Sequence, residues 1–564
     1  MTMRKVNTPH ANTWVTVLII FGLITMAPHL EAVNDDDLAQ GTKDTAGWYH
    51  YGGNWENWRH SELSQINREN VARLLPVWIF QSGIPGQLVN SPIVADGVLF
   101  FTSAHNHLWA LDSKSGDAIW HYAHPLPSDL RICCGPANRG VAIRGDAVFM
   151  ATLDAHLVAL DKRTGEVKWD IEIADHEKGY SATGAPLIVN GMVVTGIGGG
   201  EYGARGFVDA YHAETGERKW RRYIVPAAGE PGNETWAGDS WQTGGGPSWA
   251  TGTFDPKQNL ILWPTGNPAP DWDGDARLGD NLFTNSVIAL RPASGELVWH
   301  FQFTPHDVWD FDATNGLVVA DLPVASELRR VVLQPNRNGY AYLLDATNGK
   351  FLRGTQYVDR LNWSKGLDSD GRPIVDEKYL PLEGGNPNFS CPGVAGGNNG
   401  SFTWAFNGRL MFIPSIESCT KPEKSPMEFE EGEPYWGGSP GITEGDDQSS
   451  YGNIVAVDAQ TGEIVWKHKN EYPFVAGALS TGGSLVFSGN QEGYALALDA
   501  ETGELLWRFQ TGSAIRSQPI TWQQDGRQYV AIGSGAGGIV PSFMGSPELR
   551  TTGSALVVFA LPSQ

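Results

Sequence analysis

The sequence has few charged residues and few cysteines. Asp, Glu, Lys and Arg make up only 18% of its 564 residues, which excludes a coiled coil and a disordered chain. Basic residues are especially scarce, 40 against 63 acidic ones. The formal net charge of −23 argues against nucleic acid as a partner, because phosphate binding requires Lys and Arg. An acidic surface suits a cation or a basic protein partner.

The sequence also has little that could span a membrane. Its N-terminal apolar run, Trp14 to Ala27, has about 14 residues, too few to cross a bilayer comfortably. Arg4 and Lys5 precede this run and the small residue Ala32 follows it, an arrangement typical of a cleaved signal peptide. We therefore predict a signal peptide over residues 1–32, export to the periplasm and no stable membrane insertion. An uncleaved anchor is the alternative.

The four cysteines form two unlike pairs. Cys391 and Cys419 lie in one Gly-rich stretch, where an exported chain would most simply join them across a loop. Cys133 and Cys134 are adjacent and can bond only through a strained ring, a feature often found at functional sites. The alternative for Cys133 and Cys134 is that both are free thiols or that they form disulfides with the other pair. The sequence has no CxxCH motif, which excludes a covalently attached c-type haem, and no zinc-site spacing.

One phrase recurs along the chain, and it has the form of a strand, a tight turn and a second strand. It reads ALDSKSGDAIW to Trp120, ALDKRTGEVKW to Trp169, AYHAETGERKW to Trp220, ALRPASGELVW to Trp299, AVDAQTGEIVW to Trp466 and ALDAETGELLW to Trp507. LLDATNGKFL, ending at Leu352, lacks the tryptophan, and LLPVWIF around Trp78 fits the last part. The spacing of about 40–50 residues is the period of a four-stranded propeller blade.

These eight positions predict an all-β, eight-bladed propeller over residues 33–564. The final strand, SALVVFAL at 554–561, should complete a blade begun near the N-terminus and so close the ring. The tryptophans are expected to pack between blades. Residues 353–450 exceed one repeat and are rich in Gly, Pro and Asp, so we predict an insertion there over one face, near a site.

Five short motifs, in order, identify a family. They are ICCGPANRG (132–140), GIGGGEYGARG (196–206), GGGPSW (244–249), GNPAP (266–270) and TPHDVWDFD (304–312). Together they resemble the pyrroloquinoline-quinone (PQQ) dependent alcohol dehydrogenases of the methanol/ethanol dehydrogenase type, over roughly the whole mature chain. The resemblance implies PQQ as cofactor, a small primary alcohol or aldehyde as substrate and a separate c-type cytochrome as electron acceptor.

The resemblance also implies cofactor-binding residues. A disulfide between Cys133 and Cys134 would lie against one face of the quinone and Trp249 against the other, which suits a planar aromatic ring. Arg139 and Arg337 match arginines that bind the oxygens of the cofactor. Four further positions match residues that contact the quinone: Thr183, Gly199, Gly200 and Asn399.

The metal ligands that the resemblance implies are Glu201, Asn267 and Asp310, and Asp310 also matches the catalytic base. Asp310 would take the hydroxyl proton as hydride passes to the quinone. Asp312 matches an aspartate that marks the lanthanide-dependent relatives. A trivalent ion attracts each carboxylate about 1.5 times more strongly than a divalent one. We therefore predict a lanthanide, with calcium as the alternative; Asp312 as a turn residue is the competing interpretation.

Several positions depart from the family pattern. An upstream glutamate that contacts the quinone would fall near Val89 and Asn90, and tryptophans are common near Val475 and Ala536. These differences leave the natural substrate open. A PQQ sugar or polyol dehydrogenase and a cofactor-free propeller scaffold are the two alternative functions. The sequence does not decide the oligomeric state, for which a homodimer is one option.

Overall fold

The computed structural model describes residues 33–393, 396–397, 403–441, 450–535, 537 and 552–563. The predicted signal peptide and Asn399 lie outside these residues, as does Ala536. One short α-helix, Asp35–Gln40, is capped by the Asn34 side chain, and 3-10 turns occur at Gly41–Lys43, Val71–Arg73, Ala104–Asn106, His176–Lys178, Gly200–Tyr202, Asn233–Thr235, Ser240–Thr243, Gly274–Arg277 and Glu377–Tyr379. Within the described ranges, no helix is long and apolar enough to cross a membrane.

Antiparallel strands build eight blades, each with four main strands numbered here from the innermost to the outermost. Blade 1 is Ile93–Ala95, Val98–Ser103, His107–Asp112 and Ala118–Ala123; blade 2 is Ala142–Arg144, Ala147–Ala151, His156–Asp161 and Val167–Glu172; blade 3 is Leu187–Val189, Met192–Gly196, Phe207–His212 and Arg218–Tyr223; blade 4 is Thr253–Asp255, Leu260–Pro264, Ser286–Leu290 and Leu297–Gln302. Blade 5 is Val318–Val324, Glu327–Pro335, Tyr340–Asp345 and Phe351–Gln356; blade 6 is Ala405–Phe406, Leu410–Pro414, Gly452–Asp458 and Ile464–Asn470; blade 7 is Leu479–Thr481, Leu485–Gly489, Tyr494–Asp499 and Leu505–Gln510, with His60–Ser61 added inside; blade 8 is Ile520–Gln524, Arg527–Ser534, Ala555–Ala560 and Leu75–Gln81.

Blade 8 closes the ring as the sequence predicts. Its outermost strand, Leu75–Gln81, pairs antiparallel with the last strand of the chain, Ala555–Ala560. Joining the two ends of the chain within one sheet removes the free edges that an open ring would expose. The prediction of an eight-bladed propeller is confirmed.

The repeated tryptophans join neighbouring blades. Six indole N–H groups donate to a backbone carbonyl in or directly before the following blade: Trp120 to Lys162, Trp169 to Ala213, Trp220 to Pro292, Trp299 to Ala346, Trp466 to Ala500 and Trp507 to Leu74, at 2.7–3.2 Å. The indole nitrogen of Trp78 has no hydrogen-bond partner among the described residues. The rings also cover the turn glycines, and a Cβ added to Gly165 or Gly295 would lie 2.7 or 2.5 Å from an indole atom. The phrase therefore needs glycine both for its left-handed turn and for this close contact.

Blade 5 lacks the docking tryptophan, and Arg353 takes its place. Arg353 lies four residues after the turn glycine Gly349, as the tryptophans do in the other repeats. Its Nη2 donates to the carbonyl of Ala459 at 2.5 Å and its Nη1 to that of Gln460 at 2.7 Å. The Ala459 carbonyl stands three residues before Gly462, the position that accepts the indole N–H elsewhere.

The N-terminal segment fills the centre of the ring. Residues 45–59 form hydrogen bonds with the innermost strand of seven blades: Thr45 with Gln523, Trp48 with Val94, Trp55 with Ile188 and Phe254, Glu56 with Val319, Trp58 with Phe406 and Arg59 with Ser480. These contacts tie every one of those blades to a single stretch of chain. The repeat pattern alone did not predict this arrangement.

The predicted insertion 353–450 is two long connections rather than one. The first two strands of blade 6, Ala405–Phe406 and Leu410–Pro414, lie inside it. Small sheets stiffen the connections, formed by Ser364–Leu367 with Pro373–Val375 and by Glu423–Lys424 with Gly438–Ser439. The two connections are joined by the Cys391–Cys419 disulfide. The first two strands of blade 6 are short and carry no repeat phrase, so no sequence pattern indicated them.

Candidate active site

The residues predicted for the site come from two kinds of connection at one end of the propeller. The first kind joins the outermost strand of one blade to the innermost strand of the next, and it carries Cys133, Cys134, Thr183, Trp249, Asp310 and Asp312. The second kind joins the second and third strands within a blade, and it carries Glu201, Asn267 and Arg337. Because adjacent strands are antiparallel, both kinds of connection emerge at the same end of the ring.

Arg139 connects two of the predicted cofactor residues. Its Nη1 donates to the Thr183 hydroxyl at 2.6 Å, and its guanidinium lies 4.4 Å from the centre of the Trp249 ring. Its backbone N–H also donates to the Thr183 carbonyl at 3.0 Å. A cation over an aromatic face is favourable, and the contact fixes the plane of both groups. The structure therefore brings these three residues together as the sequence motifs suggest.

Asp312 lies at the centre of a polar network. Its Oδ2 accepts from Arg337 Nη1 at 2.8 Å, and its Oδ1 accepts from the backbone N–H of Asn267 at 2.9 Å. The Trp249 side chain also donates to this carboxylate. A Cβ on Gly266 would lie only 2.1 Å from Asp312 Oδ1, so glycine is required there. Asp312 is thus a buried contact between blades 4 and 5 rather than a turn residue.

Asp310 lies beside this network but is more accessible. Its Oδ1 is 3.6 Å from Arg337 Nη1, and its side chain keeps 21% of its surface exposed, against 6% for Asp312. Asp310 has the positive φ of +59°, an uncommon backbone state outside glycine. Asp307 holds the loop in this shape by accepting the backbone N–H groups of Trp309 and Phe311 at 2.9 and 2.7 Å. Asp310 is therefore the more open of the two carboxylates.

Asn267 is oriented by an acidic residue that the motifs did not reveal. Its Nδ2 donates to Asp271 Oδ1 at 2.7 Å. This bond orients the amide group with its nitrogen toward Asp271. The amide oxygen, Oδ1 of Asn267, is buried and has no hydrogen-bond partner among the described residues. A buried carbonyl oxygen without a partner is costly unless something binds it. In the sequence, the only indication of this contact is that Asp271 stands four residues after Asn267.

Glu201 lies close to the cysteine pair. Cys133 and Cys134 are bonded to each other, and their sulfur atoms and a Glu201 carboxylate oxygen all lie within 4.8 Å. The backbone before Glu201 is confined, because a Cβ on Gly200 would meet Pro247 at 2.7 Å and one on Gly199 would meet the Gly179 carbonyl at 2.6 Å. Both predicted disulfide pairings are present.

Burial raises the pKa values of four carboxyl groups at the site, and neighbouring acids add to the rise for three of them. Burial, and then the charge of Asp312, raises the pKa of Glu201 to about 7. Burial is also the main cause of the raised pKa of Asp271, Asp310 and Asp312, with the neighbouring acids adding to the rise for Asp271 and Asp310. Arg337 opposes this effect for Asp310 and Asp312. Such a cluster favours a cation that neutralises it.

The residues present fit both a hard cation and a planar quinone. Carboxylate and amide oxygens suit calcium or a lanthanide and disfavour zinc or copper. The disulfide and Trp249 offer flat, polarisable surfaces, and Arg139 and Arg337 offer guanidinium groups for paired oxygens. Asn399 lies outside the described residues, so its predicted contact stays a prediction.

Fold and site together define a quinone-dependent propeller dehydrogenase. The family model described as "Glucose/ethanol/alcohol dehydrogenase, beta-propeller domain" matches residues 48–358. The chain belongs to the PQQ-dependent alcohol dehydrogenase family and is an enzyme of that class. A second model, described as outer membrane protein assembly factor BamB, matches residues 450–536, a stretch that includes blade 7 and parts of its neighbours.

Relatives match the chain over nearly its full length. Quinoprotein alcohol dehydrogenase PedH of Pseudomonas putida KT2440 is 39% identical over 99% of this chain and 98% of its own. A quinoprotein ethanol dehydrogenase of Pseudomonas aeruginosa PAO1 is 36% identical over 94% of this chain and 92% of its own. The solved structure of a europium-containing methanol dehydrogenase has a TM-score of 0.88 and 33% identity over 93% of this chain and 100% of that one.

Proposed function

We propose that this enzyme oxidises a primary alcohol at Asp310 with PQQ and a lanthanide ion. The observation that carries the proposal is the group of four buried acids, Asp271, Asp310, Asp312 and Glu201, beside Asn267, whose buried amide oxygen has no hydrogen-bond partner among the described residues. Arg337, Arg139 and Arg277 act on these acids, but burial still raises the pKa of all four, so a cation is needed to favour their charged forms. A trivalent cation does so more strongly than calcium.

Asp310 is the proposed catalytic base. It is more exposed than Asp312, and it lies in a loop that Asp307 holds in place through backbone hydrogen bonds. Burial and the neighbouring acids raise the pKa of Asp310, so its carboxylate is a stronger proton acceptor than a free one. PQQ, when bound, supplies the hydride acceptor. Arg337, 3.6 Å away, keeps the carboxylate oriented toward the cavity.

The proposed ion ligands are Glu201, Asn267, Asp310 and Asp312. The two oxygens of Asp312 already accept bonds from Arg337 and Asn267, but each carboxylate oxygen can accept more than one bond. The name of the europium-containing relative supports a lanthanide in this site. Calcium remains the alternative ion.

The proposed cofactor residues are Cys133, Cys134, Arg139, Thr183, Gly199, Gly200, Trp249, Arg337 and Asn399.

We further propose that residues 1–32 are removed on export to the periplasm and that residues 33–564 act as one catalytic unit. The chain has no CxxCH motif for a haem of its own, so electrons would pass to a separate c-type cytochrome. The names of the relatives support a small alcohol, such as ethanol or methanol, as substrate.

Reconstitution tests the metal and the cofactor together. Metal-free protein is incubated with PQQ and either lanthanum or calcium, and ethanol oxidation is followed with a redox dye. We expect activity that depends on PQQ and is higher with lanthanum. Asp310→Asn serves as the control for dye reduction without catalysis. Equal or higher activity with calcium would assign the site to the divalent ion, and activity without PQQ would contradict the proposal.

A further inference from the structure

Arg516 is a buried arginine at the same end of the propeller as the site. It lies in the connection between blades 7 and 8, after Leu505–Gln510 and before Ile520–Gln524, and only 6% of its surface is exposed. This connection is of the same kind as those that carry Cys133, Thr183 and Asp310. None of the five family motifs includes it.

Arg516 is linked to the disulfide loop through one side chain. Its Nη1 donates to Gln87 Oε1, and Gln87 Nε2 donates to the backbone carbonyl of Cys134. Gln87 comes from the connection between blades 8 and 1, between the strands Leu75–Gln81 and Ile93–Ala95. Arg516 therefore lies one amide away from the surface proposed to cover the quinone.

The charged group that acts most on Arg516 is Arg139. Burial, and then the positive charge of Arg139, lowers the pKa of Arg516 to about 9. Arg139 in turn is bound to Thr183 and lies against Trp249. Two buried guanidinium groups thus act on each other beside the proposed cofactor residues. Arg139 and Asp312 also act on each other, so this positive pair borders the carboxylate cluster.

We propose that Arg516 joins Arg139 in holding a carboxylate group of PQQ. The inference rests on the function proposed above and adds Arg516 to the cofactor site. PQQ is a tricarboxylate, and a carboxylate group is a ligand that buried guanidinium groups bind readily.

Physical chemistry favours this assignment. Burying two like charges close together is costly, and a bound anion offsets that cost. A guanidinium fork also matches the geometry of a carboxylate, which forms two parallel hydrogen bonds with it. Gln87 holds Arg516 by one nitrogen and fixes its direction.

The test measures PQQ affinity rather than activity. Tag-free, metal-loaded protein is titrated with PQQ and with its trimethyl ester, and binding is read by quenching of tryptophan fluorescence. We expect Arg516→Gln to weaken PQQ binding about 10- to 100-fold, because it removes a charge-assisted hydrogen bond. Binding of the ester, which has no anionic carboxylate, should change little. Arg516→Lys keeps the charge without the fork and should lose less PQQ affinity.

The exposed Arg508→Gln on blade 7 is the matched control and should bind both ligands as the unmodified protein does. Unchanged PQQ affinity in Arg516→Gln would overturn the inference and leave the proposed function standing. An equal loss for PQQ and the ester would also overturn it, because Arg516 would then act only by holding the disulfide loop through Gln87. If Arg516→Gln does not fold, Arg516→Lys decides by the same comparison. Failure of the unmodified protein to bind PQQ would end the proposed function and the inference together.

Discussion

Arg337 Nη1 lies 2.8 Å from Asp312 Oδ2 and 3.6 Å from Asp310 Oδ1, so one guanidinium serves both aspartates of the HDVWDFD segment. Two carboxylates on neighbouring positions repel each other, and Arg337 offsets part of that repulsion. Arg139 also acts on Asp312 and Arg277 on Asp271, yet the pKa values of all four acids of the site stay raised. The cost of charging these buried acids is the physical basis for placing a highly charged cation here.

Asp271 is predicted to control metal affinity without touching substrate. Asp271→Ala removes the acceptor that orients the Asn267 amide, and loss of such an outer partner typically costs 10- to 100-fold in metal affinity. Asp271→Asn keeps an acceptor oxygen but removes a charge, so it should lower lanthanum affinity more than calcium affinity. Terbium luminescence, with competition by lanthanum and calcium, measures both. Unchanged affinities in Asp271→Ala would show that Asn267 is held in another way.

Metal binding is predicted to change the pH dependence of stability. The raised pKa of Glu201 stabilises the metal-free fold fully below the unfolded pKa of about 4.5, and this contribution is lost as the pH rises through about 7. A cation needs the deprotonated carboxylates, so its stabilising effect should grow over the same range. Melting temperatures from pH 5 to 8, with and without lanthanum, test this. Glu201→Gln should flatten the metal-free curve, and an unchanged curve in that variant would contradict the assignment.

Arg353 is predicted to act as a blade-docking residue. Arg353→Ala removes its bonds to Ala459 and Gln460 and should lower the melting temperature, with a loss of about 1–3 kcal/mol. Trp466→Ala, which also leaves a cavity, should cost about 3–5 kcal/mol. The exposed Arg508→Ala is a control for loss of a surface charge. Equal melting temperatures for Arg353→Ala and the control would show that blades 5 and 6 do not depend on this contact.

The propeller could be predicted from the sequence because its signal is local. Each hairpin phrase specifies two strands and a turn within eleven residues, and the regular spacing gives the blade count. The docking role of Arg353 could not be predicted, because an arginine at the tryptophan position of the phrase does not by itself indicate a contact with the next blade. The N-terminal segment through the centre was missed because its contacts, such as Trp55 with Phe254, depend on the closed ring.

The site was predictable only in part, for a similar reason. Motif resemblance selected Arg139, Thr183 and Trp249, and also Asn267 and Asp312, and the structure places the members of each group in contact; their roles in the site stay predictions. It could not reveal Asp271, whose role depends on the hydrogen bond that it accepts from the Asn267 side chain. It could not reveal the chain from Arg516 through Gln87 to Cys134 either, because three separate connections meet there. Such contacts exist only after the blades have assembled.

Metal content and turnover, measured together in Asp312→Ala and Asp310→Asn, test the central claim most directly. Each variant is loaded with lanthanum or calcium, dialysed and analysed for bound metal and PQQ-dependent ethanol oxidation. Asp312→Ala should lose lanthanum affinity by about 100-fold and calcium affinity by less, because a trivalent ion depends more on each carboxylate. Asp310→Asn should keep PQQ and some metal while turnover falls by about 10²- to 10⁴-fold, because the base is gone. If Asp312→Ala instead retains the metal content and metal preference of the unmodified protein, Asp312 is not a ligand and the lanthanide site proposed here is wrong.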